Sequence, residues 1–541
     1  MMPRGDLIKE LDKVLSTRNF EQNLYELLKD DDGKIRTSEI LQNLHETGIR
    51  QNDPRLQGII KKIRELQSTN DEEFFQPRDL VLDKKAFFEV IRKDIDIIRR
   101  AFTAELIIPD FKEFKSIIDD LHRQIKANKS GTPASYIPQL ARVNPDHWGI
   151  SVCSIDGQRH CVGSTKIPFS IQSTCKPINY ALAVSEMGGD EVHRYVGHEP
   201  SGESFNHIKL GHGNKPHNPM INAGAIMVVS LLKRKLKLAD RFDSVQHSFR
   251  RLAGGEYVGF SNAIFLSERE TADRNFALAY YMKENKCFPE DHFILHETMD
   301  FYFQLCSLEV TCESASVIAA TLANGGICPT SGEQILDGTA VRNTLSLMHS
   351  CGMYDYSGEF AFKVGLPAKS GVSGIILLVI PNVAGICLWS PPLDKFGNSV
   401  RGINFCQELV KLFNFHHYDN LRHTFQKMDP RVKRVDVQGS HIVKLLFSAS
   451  NGDLTALRRM ALAGNDMAAV DYDGRTALHL AAAEGQLECV RFLLERCKVE
   501  ANPKDRWGQR PYDDAIKFGQ EHVASYLEKY IDKEILECIT P

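Results

Sequence analysis

From Gly374 the chain reads "GIILLVIPNVAGICLWS", an apolar stretch interrupted by Pro381 and Asn382. Two continuous apolar runs of strand length joined by a Pro-Asn turn predict strands buried on both faces, whereas a membrane span needs about 20 uninterrupted apolar residues. Earlier, "WGISVCSIDGQRHCVG" places two β-rich runs about an Asp-Gly turn, which predicts a hairpin. Residues 1 to 125 follow the helical period instead, as in "SEILQNLHETGI" and "FKEFKSIIDDLHRQI", and predict an all-α region. A polar linker, "KANKSGTPAS" (126 to 135), follows. Helical and strand patterns then mix to about residue 424, so 126 to 424 is expected to be one α/β domain whose sheet joins early and late segments.

Beyond a charged linker, 425 to 440, the pattern repeats. "DGRTALHLAAAEGQLECVRFLL" from Asp473 carries the T-A-L-H-x-A-A box and turn glycine of an ankyrin repeat. Gly452 lies 33 residues before Gly485, and Gly519 lies 34 after it. Around them "LLFSASNGDLTAL" and "RPYDDAIKFGQEHVASYL" keep the same apolar spacing, so three repeats fit 441 to 528, with a tail at 529 to 541.

Composition narrows the options. The 541 residues are 43% hydrophobic and 25% charged, and 66 Lys+Arg against 70 Asp+Glu give a net charge of −4. That balance argues against binding nucleic acid or membrane surfaces by bulk electrostatics. Thirteen cysteines without zinc-type pairing read as free thiols in a reducing compartment. The opening "MMPRGDLIKELDKVL" interleaves acidic with basic residues, so no targeting segment is evident. In "LLKDDDGKIRTSE", Gly33 at the sixth place of a calcium loop sets Asp30, Asp32, Ile35 and Glu39 at the third, fifth, eighth and twelfth. Leu28 stands where the first carboxylate belongs, which points to a degenerate EF-hand-like pair that binds no calcium.

The chemistry concentrates in "FSIQSTCKPINYALA". Pro177 is tolerated in a first helical turn, where N–H groups lack internal partners, so a helix is expected to start near Ser173. Ser173 and Lys176 then share one face of that turn. A serine hydroxyl is a poor nucleophile until a base takes its proton, and a desolvated lysine can be that base. A second element, "GLPAKSGVSGIILLVI", sets Lys369-Ser370-Gly371 at the entry of a buried strand. S-x-x-K with K-T-G marks serine β-lactamases and penicillin-binding proteins; here serine replaces threonine. The N–H groups of Ser173 and Val372 are placed to bind an oxyanion, which makes the reaction class acyl transfer through an acyl-serine.

The S-D-N element of the lactamases is missing. From Tyr136 to about His417 the chain instead resembles the serine-dependent glutaminases in "YIPQLA", "QSTCKP", "KPHNPMINAGAI", "YVGFSNA", "SERETADRNFA", "DFYFQLCSLEVTCESASV", "LMHSCGMYD" and "AKSGVSG". With its helical start and ankyrin end, it resembles the animal-type, kidney- or liver-type members over nearly its full length. The resemblance implies a β-lactamase-like α/β catalytic domain that hydrolyses L-glutamine to L-glutamate and ammonia through a γ-glutamyl ester. It implies Ser173 as nucleophile, Lys176 as base and Tyr354 as hydroxyl relay. It also implies that Tyr136, Asn222, Glu268, Asn275 and Tyr302 hold substrate, alongside Ser173, Tyr354 and Val372. Homodimers or homotetramers, no metal or organic cofactor, phosphate as an activator and a mitochondrial location follow from the same resemblance, with the cytoplasm as the alternative. The ankyrin repeats are expected to contact a protein partner. Glu203, Ser204, His207 and Gly211 depart from the family's loop before "KPHNP", and Asn285 replaces an expected lysine near the tetramer contact. Two rivals remain at this stage. A β-lactam or peptide acyl hydrolase wants S-D-N and an export signal, and an ankyrin scaffold with a dead hydrolase is expected to lose Ser173, Lys176 or Tyr354.

Overall fold

The computed structural model describes residues 20–22, 24–26, 28–30, 32–67, 79–202, 208–289, 293–419, 427–432, 434–462 and 465–530. The chain divides into two units, Met1–Arg431 and Val432–Pro541. The opening segment read for targeting signals, the loop residues Glu203, Ser204 and His207, and most of the 529–541 tail lie outside the described residues.

In the first unit the strands are β1 (Ile35–Arg36), β2 (Val81–Leu82), β3 (Gly149–Ser154), β4 (Arg159–Gly163), β5 (Phe169–Ser170), β6 (Val258–Phe260), β7 (Leu308–Val310), β8 (Ala368–Gly371), β9 (Ile375–Ile380) and β10 (Ala384–Trp389). The main sheet has the order β4-β3-β10-β9-β8, with every pair antiparallel. Ile150 faces Leu388 across one pair and Leu378 faces Ile386 across the next, so the early hairpin and the late apolar run close one sheet. A smaller sheet has the order β5-β7-β6.

Both faces of the main sheet are covered, which explains why its central strands are apolar at every position. Along β9, Ile375, Leu377 and Val379 join one core with the helices Cys175–Met187, Asn222–Leu231 and Leu295–Cys306. Ile376, Leu378 and Ile380 join the opposite core with Phe111, Phe114, Ile118 and Leu121. The Phe111–Ile125 helix therefore belongs to the catalytic core, although its helical period had grouped it with the N-terminal region. Its apolar stripe needs a flat apolar face, and the sheet supplies one.

The N-terminal region has a core of its own around Ile35, Ile40, Leu44, Ile59, Phe87 and Ile98. It is not all-α. Strands β1 and β2 pair antiparallel, Ile35 opposite Leu82, and lead into the helices Thr37–Glu46 and Lys84–Ile91 respectively. In the calcium-like loop, Asp30 Oδ1 accepts from the backbone N–H groups of Asp32 and Lys34 at 3.1 and 2.8 Å. Arg50 reaches Glu313 at 2.7 Å, and the Arg159 N–H donates to Gly48 O at 2.7 Å, tying this region to the hairpin and to the Cys312–Ala323 helix.

The second unit is built from the helix pairs Arg434–Ser450 with Leu454–Leu462, Ala477–Ala483 with Leu487–Arg491, and Pro511–Lys517 with Glu521–Leu527. The first helix begins inside the stretch expected to be a linker. Gly452, Gly485 and Gly519, which set the sequence period, turn the chain within each pair at φ of +71°, +71° and +70°. Only glycine takes that conformation at no steric cost. Thr476 and His479 cap each other's backbone, and His479 Nε2 lies 3.2 Å from the Gln509 carbonyl in the next repeat.

Candidate active site

The helix carrying the candidate base starts at Cys175, two residues later than Ser173. Ser173 sits in the preceding 3₁₀ turn, Gln172–Thr174, and Pro177 lies in the first α turn, as its missing N–H allows. Gln172 enters that turn at φ +49° and Tyr354 has φ +54°. Such values are uncommon for residues with a Cβ and gather where surrounding structure enforces them. Here they flank Ser173 on two sides, and burial raises the Tyr354 phenol pKa while the neighbouring Ser173 hydroxyl opposes that shift.

Lys176 is 1% exposed, and Nζ donates to Asn222 Oδ1 at 2.6 Å. Burial holds the amine below its ordinary pKa, opposed in part by the nearby Cys306 and Cys175 thiols. Asn222, first residue of its helix, donates to Asn275 Oδ1 at 3.1 Å and accepts from the Tyr302 hydroxyl at 3.5 Å. On the other side, Glu268 is 8% exposed and accepts from the Tyr136 hydroxyl at 2.5 Å. Burial raises the Glu268 pKa, against hydrogen bonds from Tyr136 and Gln172. The Tyr136 ring stands at the rim, about half exposed, with its hydroxyl turned inward. Desolvation raises the phenol pKa values of Tyr136, Tyr302 and Tyr354.

Strand β8 closes the constellation. A Cβ on Gly371 would stand 3.1 Å from Ile171 O and 3.3 Å from Thr174 Cγ2, so the end of the strand abuts the serine turn. Val372, half-buried, packs with Ile137, Leu140 and Ile264. Gly352 brings the "CGMYD" turn onto the same strand: the Ser370 N–H donates to Gly352 O, and a Cβ there would lie 1.8 Å from Ala368 O. All nine candidates (Tyr136, Ser173, Lys176, Asn222, Glu268, Asn275, Tyr302, Tyr354 and Val372) thus fall in one connected neighbourhood.

Three groups not assigned from the sequence sit among them. Lys369 is fully buried, donates from Nζ to Ser370 O at 2.7 Å and lies 4.5 Å from the Tyr354 ring centroid. Its pKa falls well below the ordinary value through burial and then through Lys176. The K-S-G signal at a strand entry had marked it without giving it a role. Gln172 bridges toward Tyr136 and Glu268, a contact between distant segments with no local signature. The Cys175 and Cys306 sulfurs lie 4.0 Å apart beneath the site. Their hydrogen bond lowers the pKa of the first and raises that of the second. No group of three or more His, Cys, Asp or Glu side chains among the described residues is arranged to hold a metal ion.

An antiparallel sheet between helical layers, with a serine turn, a buried lysine one turn on and a K-S-G edge strand, defines a β-lactamase-like serine acyl hydrolase. Family comparison narrows the class. Residues 131–418 match the glutaminase family, 20–109 an EF-hand domain and 445–536 three ankyrin repeats. The chain is 54% identical to the mouse mitochondrial liver isoform of glutaminase over 91% of its own length and 81% of the relative's. It is 48% identical to putative glutaminase 2 of Caenorhabditis elegans over 94% and 85%. Among solved structures, probable glutaminase ybaS matches at 34% identity and TM-score 0.52, covering 55% of this chain and 95% of that one. Mglu in its native form matches at 37% and 0.53, covering 55% and 72%. The chain belongs to the glutaminase family and is a glutamine-hydrolysing enzyme.

Proposed function

We propose that Ser173 attacks the side-chain amide carbon of L-glutamine while Lys176, its pKa lowered by burial, takes the hydroxyl proton through or beside Tyr354. The observation that carries this reading is the Lys176 amine, 1% exposed, 2.6 Å from Asn222 and one turn from Ser173. The tetrahedral oxyanion accepts from the N–H groups of Ser173 and Val372, where strand β8 meets the serine turn. The proton passes to the leaving nitrogen, ammonia departs, and a γ-glutamyl ester remains on Ser173. Water, activated by the same amine, attacks the ester and releases glutamate.

Glu268 pairs with the substrate ammonium, which offsets the cost of its buried charge, and Tyr136 with Gln172 orients the carboxylate. Asn222, Asn275 and Tyr302 bind the substrate's α-carboxylate through their amide and hydroxyl groups. Lys369, stacked on Tyr354, holds that ring against the serine. The chemistry calls on no metal or organic cofactor.

The mitochondrial names of the liver-type relatives support a mitochondrial location, and the ankyrin repeats support contact with a protein partner; activation by phosphate and assembly as homodimers or homotetramers are part of the same proposal. Among the described residues no helix is long and apolar enough to cross a membrane. Replacing Ser173 by Ala tests the mechanism: folding and glutamine binding persist while glutamate release falls by far more than about a hundredfold. A smaller loss overturns the acyl-serine reading.

A further inference from the structure

Away from the reaction site, a cleft of about 730 Å³ opens between the Gly338–Cys351 helix, the β9–β10 turn and the segment after the Val400–Leu412 helix. Its size falls in the range of small-molecule sites. The floor is apolar, formed by Val341, Leu345, Leu366, Ile380, Val383 and Phe415. The rim carries Arg342, His349 and His417, and among the described residues no Asp or Glu lines the cleft. Two acids close in sequence to the lining residues are ion-paired: Asp419 is 2.8 Å from Lys427, and Asp429 is 2.8 Å from Arg431.

Hydrogen bonds sort the rim groups by what they offer. His416 spends both ring nitrogens, with Nε2 donating to Phe362 O and Nδ1 accepting from the Tyr418 N–H, so it presents only a ring face. His417 donates from Nδ1 to Gly365 O at 3.0 Å, which leaves Nε2 open. His349 meets His417 edge-on at 4.9 Å and has no hydrogen-bond partner among the described residues. Arg342, exposed on the helix, has no ion-pair partner among them either. Among the described residues, an unmatched guanidinium and two imidazoles with open nitrogens stand over an apolar floor.

We infer that this cleft is a second binding site, for a small organic anion with an apolar or aromatic body. The guanidinium and His417 Nε2 hold the charged group by charge-assisted and ordinary hydrogen bonds, and the floor takes the hydrocarbon. The two walls lead directly into the active site: the helix ends three residues before Tyr354, and Leu366 precedes Lys369 on the approach to β8. An occupant here therefore rests on the elements that carry both groups.

Titration calorimetry of the full chain with 2-naphthoate tests the proposal, with 2-naphthylmethylammonium and inorganic phosphate as matched controls. Naphthoate is expected to bind saturably with a Kd of roughly 0.1–1 mM, and each control at least about tenfold more weakly. Arg342→Ala removes an exposed side chain and should weaken naphthoate about tenfold. Ser346→Trp, also on the exposed helix surface, fills the cleft and should abolish binding. Three results would each overturn the proposal: no saturable binding below about 10 mM, equal binding of the cation or of phosphate, or naphthoate binding that neither variant changes.

Discussion

Replacing Lys176 by Met separates the catalytic from the structural meaning of a buried amine. Methionine has nearly the same length, so the helix and the packing around Cys175 and Cys306 are kept. The proton acceptor is lost. A positioned general base contributes about 10²- to 10⁴-fold, or roughly 3–5 kcal/mol of barrier, and kcat/KM should fall by that factor. Stability should behave differently. Met relieves the desolvation of a group that is 1% exposed, a gain of roughly 1–3 kcal/mol, and deprives Asn222 Oδ1 of its 2.6 Å donor, a loss of about 1–2 kcal/mol. The net change should stay within about 2 kcal/mol. Its sign should depend on pH, because the folded-state pKa of Lys176 is lowered by burial while the unfolded lysine titrates near about 10.4. Between those two values the unfolded state binds more protons, so wild-type stability rises with pH. The lead of the Met variant is therefore largest below the folded pKa and shrinks as pH approaches the unfolded one. Urea unfolding at several pH values, beside a coupled glutamate assay, reads both quantities. Retention of more than about a tenth of kcat/KM would refute the base assignment. A loss of more than about 3 kcal/mol at neutral pH would show that the amine is structural.

Gly352→Ala places a Cβ 1.8 Å from Ala368 O, so β8 or the Tyr354 turn must shift; a melting temperature lower by roughly 1–3 °C with reduced kcat is expected, and an unchanged kcat would contradict the packing. Glu268→Gln keeps a partner for the Tyr136 hydroxyl but loses the charge for the substrate ammonium; steady-state kinetics should show KM for glutamine raised about a hundredfold, and an unchanged KM would remove Glu268 from the ammonium site. A chain ending at Arg431, where the first unit ends, keeps the Asp429 contacts with Asn414 and Arg431; it should retain glutaminase activity and, by light scattering, the oligomeric state of the full chain, and an inactive product would show that the repeats support the active site.

The sequence by itself determined whatever local spacing encodes. The paired strands of "GIILLVIPNVAGICLWS" were legible because burial on both faces makes every position apolar, and the ankyrin period because each unit needs the same turn glycine. The serine turn was legible because Ser173, Lys176 and Pro177 are neighbours. What only the tertiary structure decided is which distant surfaces meet. The Phe111–Ile125 helix shows the same amphipathic stripe as its N-terminal neighbours, and only the presence of β9 and β10 makes it part of the catalytic core. The β1–β2 pair was missed because two-residue strands are too short to show a period. Lys369 over Tyr354, Gln172 beside Glu268 and Cys175 against Cys306 join segments far apart in the chain. Periodicity records which face of an element is apolar; it carries no record of the partner that face or side chain will find, and long-range packing alone supplies that partner.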